Sequence, residues 1–213
     1  MNYILTDKEP KLPLKYFEDI SAIPHGSYNE KAISAFIADT AAKLGLYARV
    51  DERNNVVVKK PATPGYEHLP ALLLQAHVDM VNEKNNDSDH DFEKDGLKLI
   101  LEGNILRADG TTLGADDGKG VAYMLALMDS DSDTFPHPPL EFLFTTGEEV
   151  GFWGAMALDC SDITARRMIG LDAGPEGVVA TTSAGAQEVI FSIPTEYEPV
   201  KGDVLAVSVR GLL

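Results

Sequence analysis

The chain has 213 residues, 44% of them hydrophobic, enough apolar material for one sizeable core and for one domain to one and a half. Its formal net charge is −16, from 34 acidic against 18 basic residues, and no Lys/Arg cluster forms a phosphate-binding stripe, so nucleic acid and anionic membrane surfaces are excluded as partners. A single cysteine, Cys160, excludes an internal disulfide framework; with no basic-then-apolar leader and no run of membrane-spanning length, a cytoplasmic setting is expected.

The first strongly periodic segment is "SYNEKAISAFIADTAAKLG", residues 27–45. Ser27 and Glu30 have capping-box spacing, Ile33, Phe36, Ile37 and Leu44 recur at helical intervals, and Gly45 stops the pattern. "LYARVDERNNVVVKK" follows as two short β-rich stretches around Arg53-Asn54-Asn55, which predicts a hairpin. "LPALLLQAHVDMV" is a continuous apolar run, the pattern of a central strand covered on both faces. The polar stretch "NEKNNDSDHDFEKDG" predicts a loop, and "LKLILEG" and "NILRAD" predict two strands leading into "GTTLGADDGKG".

"VAYMLALMD" resumes a helical pattern, and "PPLEFLFTTGEEVGFWGAMALD" reads as strand, polar tip, then helix. "RRMIGLDAG" is a further short strand ending on an acid. From about Gly185 the pattern becomes strand, turn, strand with no helix, the opening of a second, antiparallel unit; the expected division is 1–184 and 185–213.

Four separate strands are expected to end in polar clusters: His77 with Asp79, Asp116 with Asp117, Glu148 with Glu149, and Asp172. In an open α/β sheet ligands gather at the carboxyl ends of strands, so strands sharing one sheet and one direction would bring these clusters together. His77 and Asp79 lie one residue apart and so face the same way on an extended chain, a neutral imidazole being a good zinc ligand and a neighbouring carboxylate fixing its tautomer. Taken alone, the pair is more simply a satisfied histidine at a strand end.

Asp116 and Asp117 sit between Gly114 and Gly118, where a carboxylate can bridge two cations or merely cap a helix. The spacing does not fit a phosphate-binding loop, because Lys119 is followed by Gly120. Adjacent Glu148 and Glu149 repel unless a cation compensates them, and one of them, with a raised pKa, can handle a proton. One histidine and several carboxylates at strand ends suggest a dinuclear metal site. His25, His68, His90 and His137 read as structural or surface histidines, and Cys160 carries no signal of a nucleophile.

The motifs "LLLQAHVDMV", "GTTLGADDGKGVAYMLAL", "HPPLEFLFTTGEEVGFWGA" and "GLDAG", with the N-terminal "KYFEDISAIPHGSYNEKAI", resemble those of the aminoacyl-histidine dipeptidases. These Xaa-His or cytosolic non-specific dipeptidases belong to the co-catalytic zinc peptidases that include peptidase T, carboxypeptidase G and acetylornithine deacetylase. The resemblance runs through essentially the whole chain. It implies an α/β three-layer sandwich with a mostly parallel mixed sheet, incomplete at the C-terminus and ending where a lid domain begins.

It further implies two zinc ions, with cobalt or manganese as substitutes. His77 and Asp172 would hold one, Glu149 the other, and Asp116 would bridge them. Asp79 and Glu148 would be the catalytic residues: Asp79 orients His77, and Glu148 is the general base toward a zinc-activated bridging water. The implied substrate is a small peptide of Xaa-His type, and the complete enzyme is a possible homodimer.

Two departures stand out. Asp117 replaces the asparagine common in the dipeptidases, as in peptidase T-like relatives, and the distal histidine, lid and returning half of the family are not in this sequence. Little activity is therefore expected of the chain alone. The alternatives are a tripeptide aminopeptidase or N-acyl-amino-acid amidohydrolase of the same superfamily, and a non-catalytic metal-binding or interaction module.

Overall fold

The computed structural model describes residues 3–131, 133–172, 174, 177–183, 185, 189–205 and 207. The chain divides into two compact units, residues 1–178 and 179–213. Among the described residues, all helices and strands lie in the first. Of the strand–turn–strand expected from Gly185 onward, residues 186–188, 206 and 208–213 lie outside the described residues, and the described remainder forms no strand. Its apolar side chains, among them Ile190, Phe191 and Leu205, are exposed; a strand needs a ladder partner, and the described residues there offer none.

The first unit is built on a five-stranded sheet. In chain order its strands are β1 (Tyr47–Val50), β2 (Val56–Lys60), β3 (Leu72–His77), β6 (Leu140–Thr145) and β7 (Met168–Gly170), while β4 (Leu99–Glu102) and β5 (Ile105–Ala108) form a separate hairpin. The spatial order is β1-β2-β6-β3-β7. β3 runs parallel to both β6 and β7, and β2 is antiparallel to its two neighbours, so four of the five strands point one way. This is the expected mostly parallel mixed α/β sheet.

Alternation along the strands sets the two faces. Val56, Val58, Leu74, Ala76, Phe142 and Phe144 form one side's core with helices α2 (Lys31–Lys43) and α3 (Ala115–Met128), and α1 (Lys11–Ser21) joins that core by packing against α3. Val57, Leu73 and Leu143 face the other way, under Leu158, Ile163 and Ala165. That second face carries only the four-residue helix α4 (Trp153–Met156), much shorter than the apolar pattern after Glu149 suggested. Buried Glu141 anchors this cover by accepting the backbone N–H groups of Thr164 and Ala165 and the Thr164 hydroxyl.

Helix α1 has no counterpart in the sequence reading. Its apolar face is Leu12, Tyr16, Phe17 and Ile20, and Pro13 obscures the pattern although a proline in a first turn costs a helix nothing. Helix α2 is shorter than expected at its start: Glu30 is its N-cap and makes no capping side-chain hydrogen bond. Ser27 is therefore not the cap that its spacing suggested. The predicted hairpin forms, with Asn54 at φ +64 and the Asp51 carboxylate accepting the N–H groups of Arg53 and Asn55. Among the described residues, no helix is long and apolar enough to cross a membrane.

Candidate metal centre

Three parallel strands deliver the site from one edge of the sheet. His77 ends β3, Glu148 and Glu149 follow β6, and Asp172 follows β7. The fourth contribution differs from the expectation, since Asp116 and Asp117 do not end a strand of the central sheet. They lie at the start of α3, where both have non-helical backbone angles and Gly114 before them takes φ +66.

His77 is buried, and its ring nitrogens have different surroundings. Nδ1 lies 2.9 Å from the Asp79 carbonyl oxygen, which can only accept, so Nδ1 carries the proton and donates. In the neutral ring Nε2 is then a bare lone pair. It lies 3.2 Å from Asp116 Oδ1 and 3.9 Å from Asp172 Oδ2. Two acceptors facing each other at that distance require a proton or a cation between them.

The ligand atoms of His77, Asp116 and Asp172 fall within 4.8 Å of one another, and so do those of His77, Glu148 and Glu149. His77 is thus shared by two overlapping groups of three. The four carboxylates form no ion pair with lysine or arginine among the described residues; Lys119 reaches only Asp117, at 3.7 Å. Burial, followed by the charges of Glu149, Asp172 and Asp79, holds the Glu148 carboxyl above the usual range. Glu149 and Asp172 are raised in the same way, by burial and by Asp116. Burial opposes charge on His77, yet the hydrogen bond and charge of Asp79, the hydrogen bond of Asp116 and the charge of Asp117 push its imidazole up to about 9.

These features fit a divalent cation. One imidazole nitrogen and four carboxylates, crowded together without a basic partner, form the mixed nitrogen and oxygen donor set that borderline metals such as zinc take. A cation would relieve the repulsion that now raises the carboxyls.

Asp79 is no part of that donor set. Fully buried, it accepts the Glu148 N–H at 3.0 Å, the Glu149 N–H at 3.3 Å and the Ser27 hydroxyl at 2.8 Å, with Oδ1 3.4 Å from His77 Nδ1. Burial alone would raise its carboxyl, but His77 and these donors hold it below the ordinary range. Asp117 also turns inward: its Oδ1 accepts the Gly120 N–H at 3.2 Å, while Oδ2 has no partner, and burial pushes it up to about 6. The adjacent aspartates thus diverge, Asp116 facing His77 and Asp117 capping the regular part of α3.

Two supports escaped the sequence reading. Gly147 takes φ +62, and a Cβ there would overlap the Trp153 ring, so the turn carrying Glu148 and Glu149 needs glycine. Asn55 pins the same region, donating to the Gly154 carbonyl at 2.9 Å and accepting the Thr146 N–H at 3.1 Å. Of the other histidines, His25 and His137 are buried: His25 Nδ1 lies 2.6 Å from the Ile23 carbonyl and His137 Nδ1 lies 2.8 Å from the Pro138 carbonyl. Neither falls in a metal-ligating group among the described residues. Beside Glu148 and Asp172, a crevice of about 300 Å³ is lined by Gln75, Leu143, Phe152, Leu158 and Met168.

The model of the family described as "Peptidase family M28" matches residues 55–170, more than half of the chain, and the chain belongs to that family. It is 35% identical over 210 residues to the cytosol non-specific dipeptidase of Escherichia coli K12, a match covering 98% of this chain and 43% of the relative. Among solved structures it is similar to an aminoacylhistidine dipeptidase from Vibrio alginolyticus, with a TM-score of 0.77 and 39% identity over 81% of this chain and 35% of the other. It is also similar to an aminopeptidase PepT from Bacillus cereus, with a TM-score of 0.65 and 25% identity over 77% of this chain and 43% of the other. The chain spans less than half the length of the curated relatives it matches.

Proposed function

We propose that this member of a peptidase family provides the metal-binding half of a dipeptidase site that hydrolyses short peptides of Xaa-His type. The observation that carries the reading is His77 Nε2 facing the Asp116 and Asp172 carboxylates at 3.2 and 3.9 Å, beside a pair of adjacent glutamates. His77 and Asp172 would hold one zinc ion, Glu149 the other, and Asp116 both. Bound zinc supplies Lewis acidity, polarising the peptide carbonyl and acidifying water.

The residues of the chain supply the rest. Glu148 lies within reach of the cluster but is left over once Glu149 is a ligand, and its raised pKa suits a group that must both take and return a proton. It removes a proton from the attacking water and delivers one to the departing amine nitrogen. Asp79 holds the His77 ring and the backbone of Glu148 in fixed relation, so the base and the ligand move as one piece.

Relatives at 35% and 39% identity are dipeptidases by name, which favours dipeptides. A tripeptide reading draws on the likeness to a tripeptidase from Staphylococcus aureus and on the Asp116-Asp117 pair. The test is hydrolysis of an Xaa-His dipeptide, a tripeptide and an N-acetyl amino acid by the zinc-loaded chain completed to the length of its dipeptidase relatives, and by its Glu148→Gln variant. Fastest turnover of the dipeptide, with a loss of about 10²–10⁴ in the variant, supports the proposal. Equal rates in the two proteins, or turnover of the acylated amino acid alone, would refute it.

A further inference from the structure

Ser27 and Glu30 have the spacing of a helix cap and do not act as one. The segment from His25 to Ser27 instead runs alongside the end of β3, where Gly26 forms a parallel bridge with Met80. The Met80 N–H donates to the His25 carbonyl at 3.2 Å, and the Ser27 N–H donates to the Met80 carbonyl at 3.3 Å. This backbone pairing sets Ser27 beside Asp79, whose Oδ2 accepts its hydroxyl at 2.8 Å. Tyr28 then takes φ +72, and the Glu30 side chain turns back into the same region. Buried there, Glu30 accepts the Tyr28 N–H at 3.0 Å, and the Gly147 N–H also favours its charge.

We propose that Ser27 is a positioning residue of the metal centre, locking the Asp79 carboxylate and through it the His77 ring and the Glu148–Glu149 backbone. Among the described residues, Ser27 provides the one side-chain hydroxyl that Asp79 accepts; the other donors are the two glutamate N–H groups and the imidazole it positions. Without the hydroxyl, Oδ2 keeps only the longer 3.3 Å bond from Glu149, and the carboxylate is free to rotate about its terminal torsion. Such rotation disturbs His77 and the adjacent glutamates together. Groups that orient a metal ligand from behind typically change metal affinity 10–100-fold when removed, and Ser27 stands one step further back.

The inference rests on the metal-centre reading, so its test has one arm that needs no metal. The hydrogen-bonded Nδ1 proton of His77, assigned by its absence in His77→Gln, is followed by NMR in the metal-free protein, while calorimetry measures zinc affinity. Ser27→Ala is expected to shift or broaden that proton signal and to weaken zinc binding about tenfold, with Ser27→Thr restoring both. Should Ser27→Ala fail to fold, Ser27→Cys, similar in volume but a weak donor, is expected to show the same two losses. A Ser27→Ala protein with the wild-type signal and affinity overturns the proposal. If the wild type binds no zinc, the metal reading falls, and the Nδ1 signal alone decides whether Ser27 positions His77.

Discussion

Asp79 and Glu148 are joined by a hydrogen bond from the Glu148 backbone N–H to Asp79 Oδ1, 3.0 Å long, which ties the ends of two parallel strands. Because Oδ1 also lies 3.4 Å from His77 Nδ1, one buried carboxylate sets the ring of a proposed metal ligand and the backbone of the proposed base. The segments that follow β3 and β6 are thereby tied to each other at the site.

Replacing Asp79 with Asn puts an amide where three donors converge, and one of its two ends must meet a backbone N–H as a donor. Zinc affinity is expected to fall about 10–100-fold by calorimetry. Unchanged affinity would mean that Asp79 serves only the fold.

Gly147→Ala adds two costs at one position. A left-handed backbone angle costs an alanine about 1–2 kcal/mol, and overlap with Trp153 adds about 1–3 kcal/mol. Denaturant unfolding should show a loss of roughly 2–5 kcal/mol, together with weaker zinc binding because the turn bearing Glu149 must shift.

Glu141 gives a pH dependence remote from the site. Burial raises its carboxyl, but the Ala165 and Thr164 donors and Lys59 outweigh it, so the folded pKa lies below the ordinary 4.5. A depressed carboxyl pKa stabilises the fold above the unfolded value, and that stabilisation is lost as pH falls through the folded value. Glu141→Gln should cost about 1–3 kcal/mol near neutral pH, and the gap from wild type should close in acid. Urea unfolding at both conditions measures it; a constant gap would contradict the assignment.

Much of this was legible because it rests on alternation and strand ends. The apolar run before His77 had to be a central strand, and an imidazole and an acid two residues apart had to share a face. What stayed hidden depends on contacts between distant segments. Ser27 and Glu30 satisfy a local capping pattern, but pairing of Gly26 with Met80 claims them for the site. Asp116 and Asp117 look alike in sequence, and only the backbone at the start of α3 sends one to His77 and the other into the core. Pro13 masked α1, whose buried face is evident once it packs against α3.

Side chains from three strand ends and one helix start gather around His77 as the proposed metal centre. Zinc binding by the purified protein, measured by calorimetry beside the Asp116→Ala variant, tests it most directly. Saturable binding that weakens at least about tenfold in the variant, with unchanged thermal unfolding of the metal-free proteins, is the predicted result. No saturable binding, or equal affinity in both proteins, would contradict it.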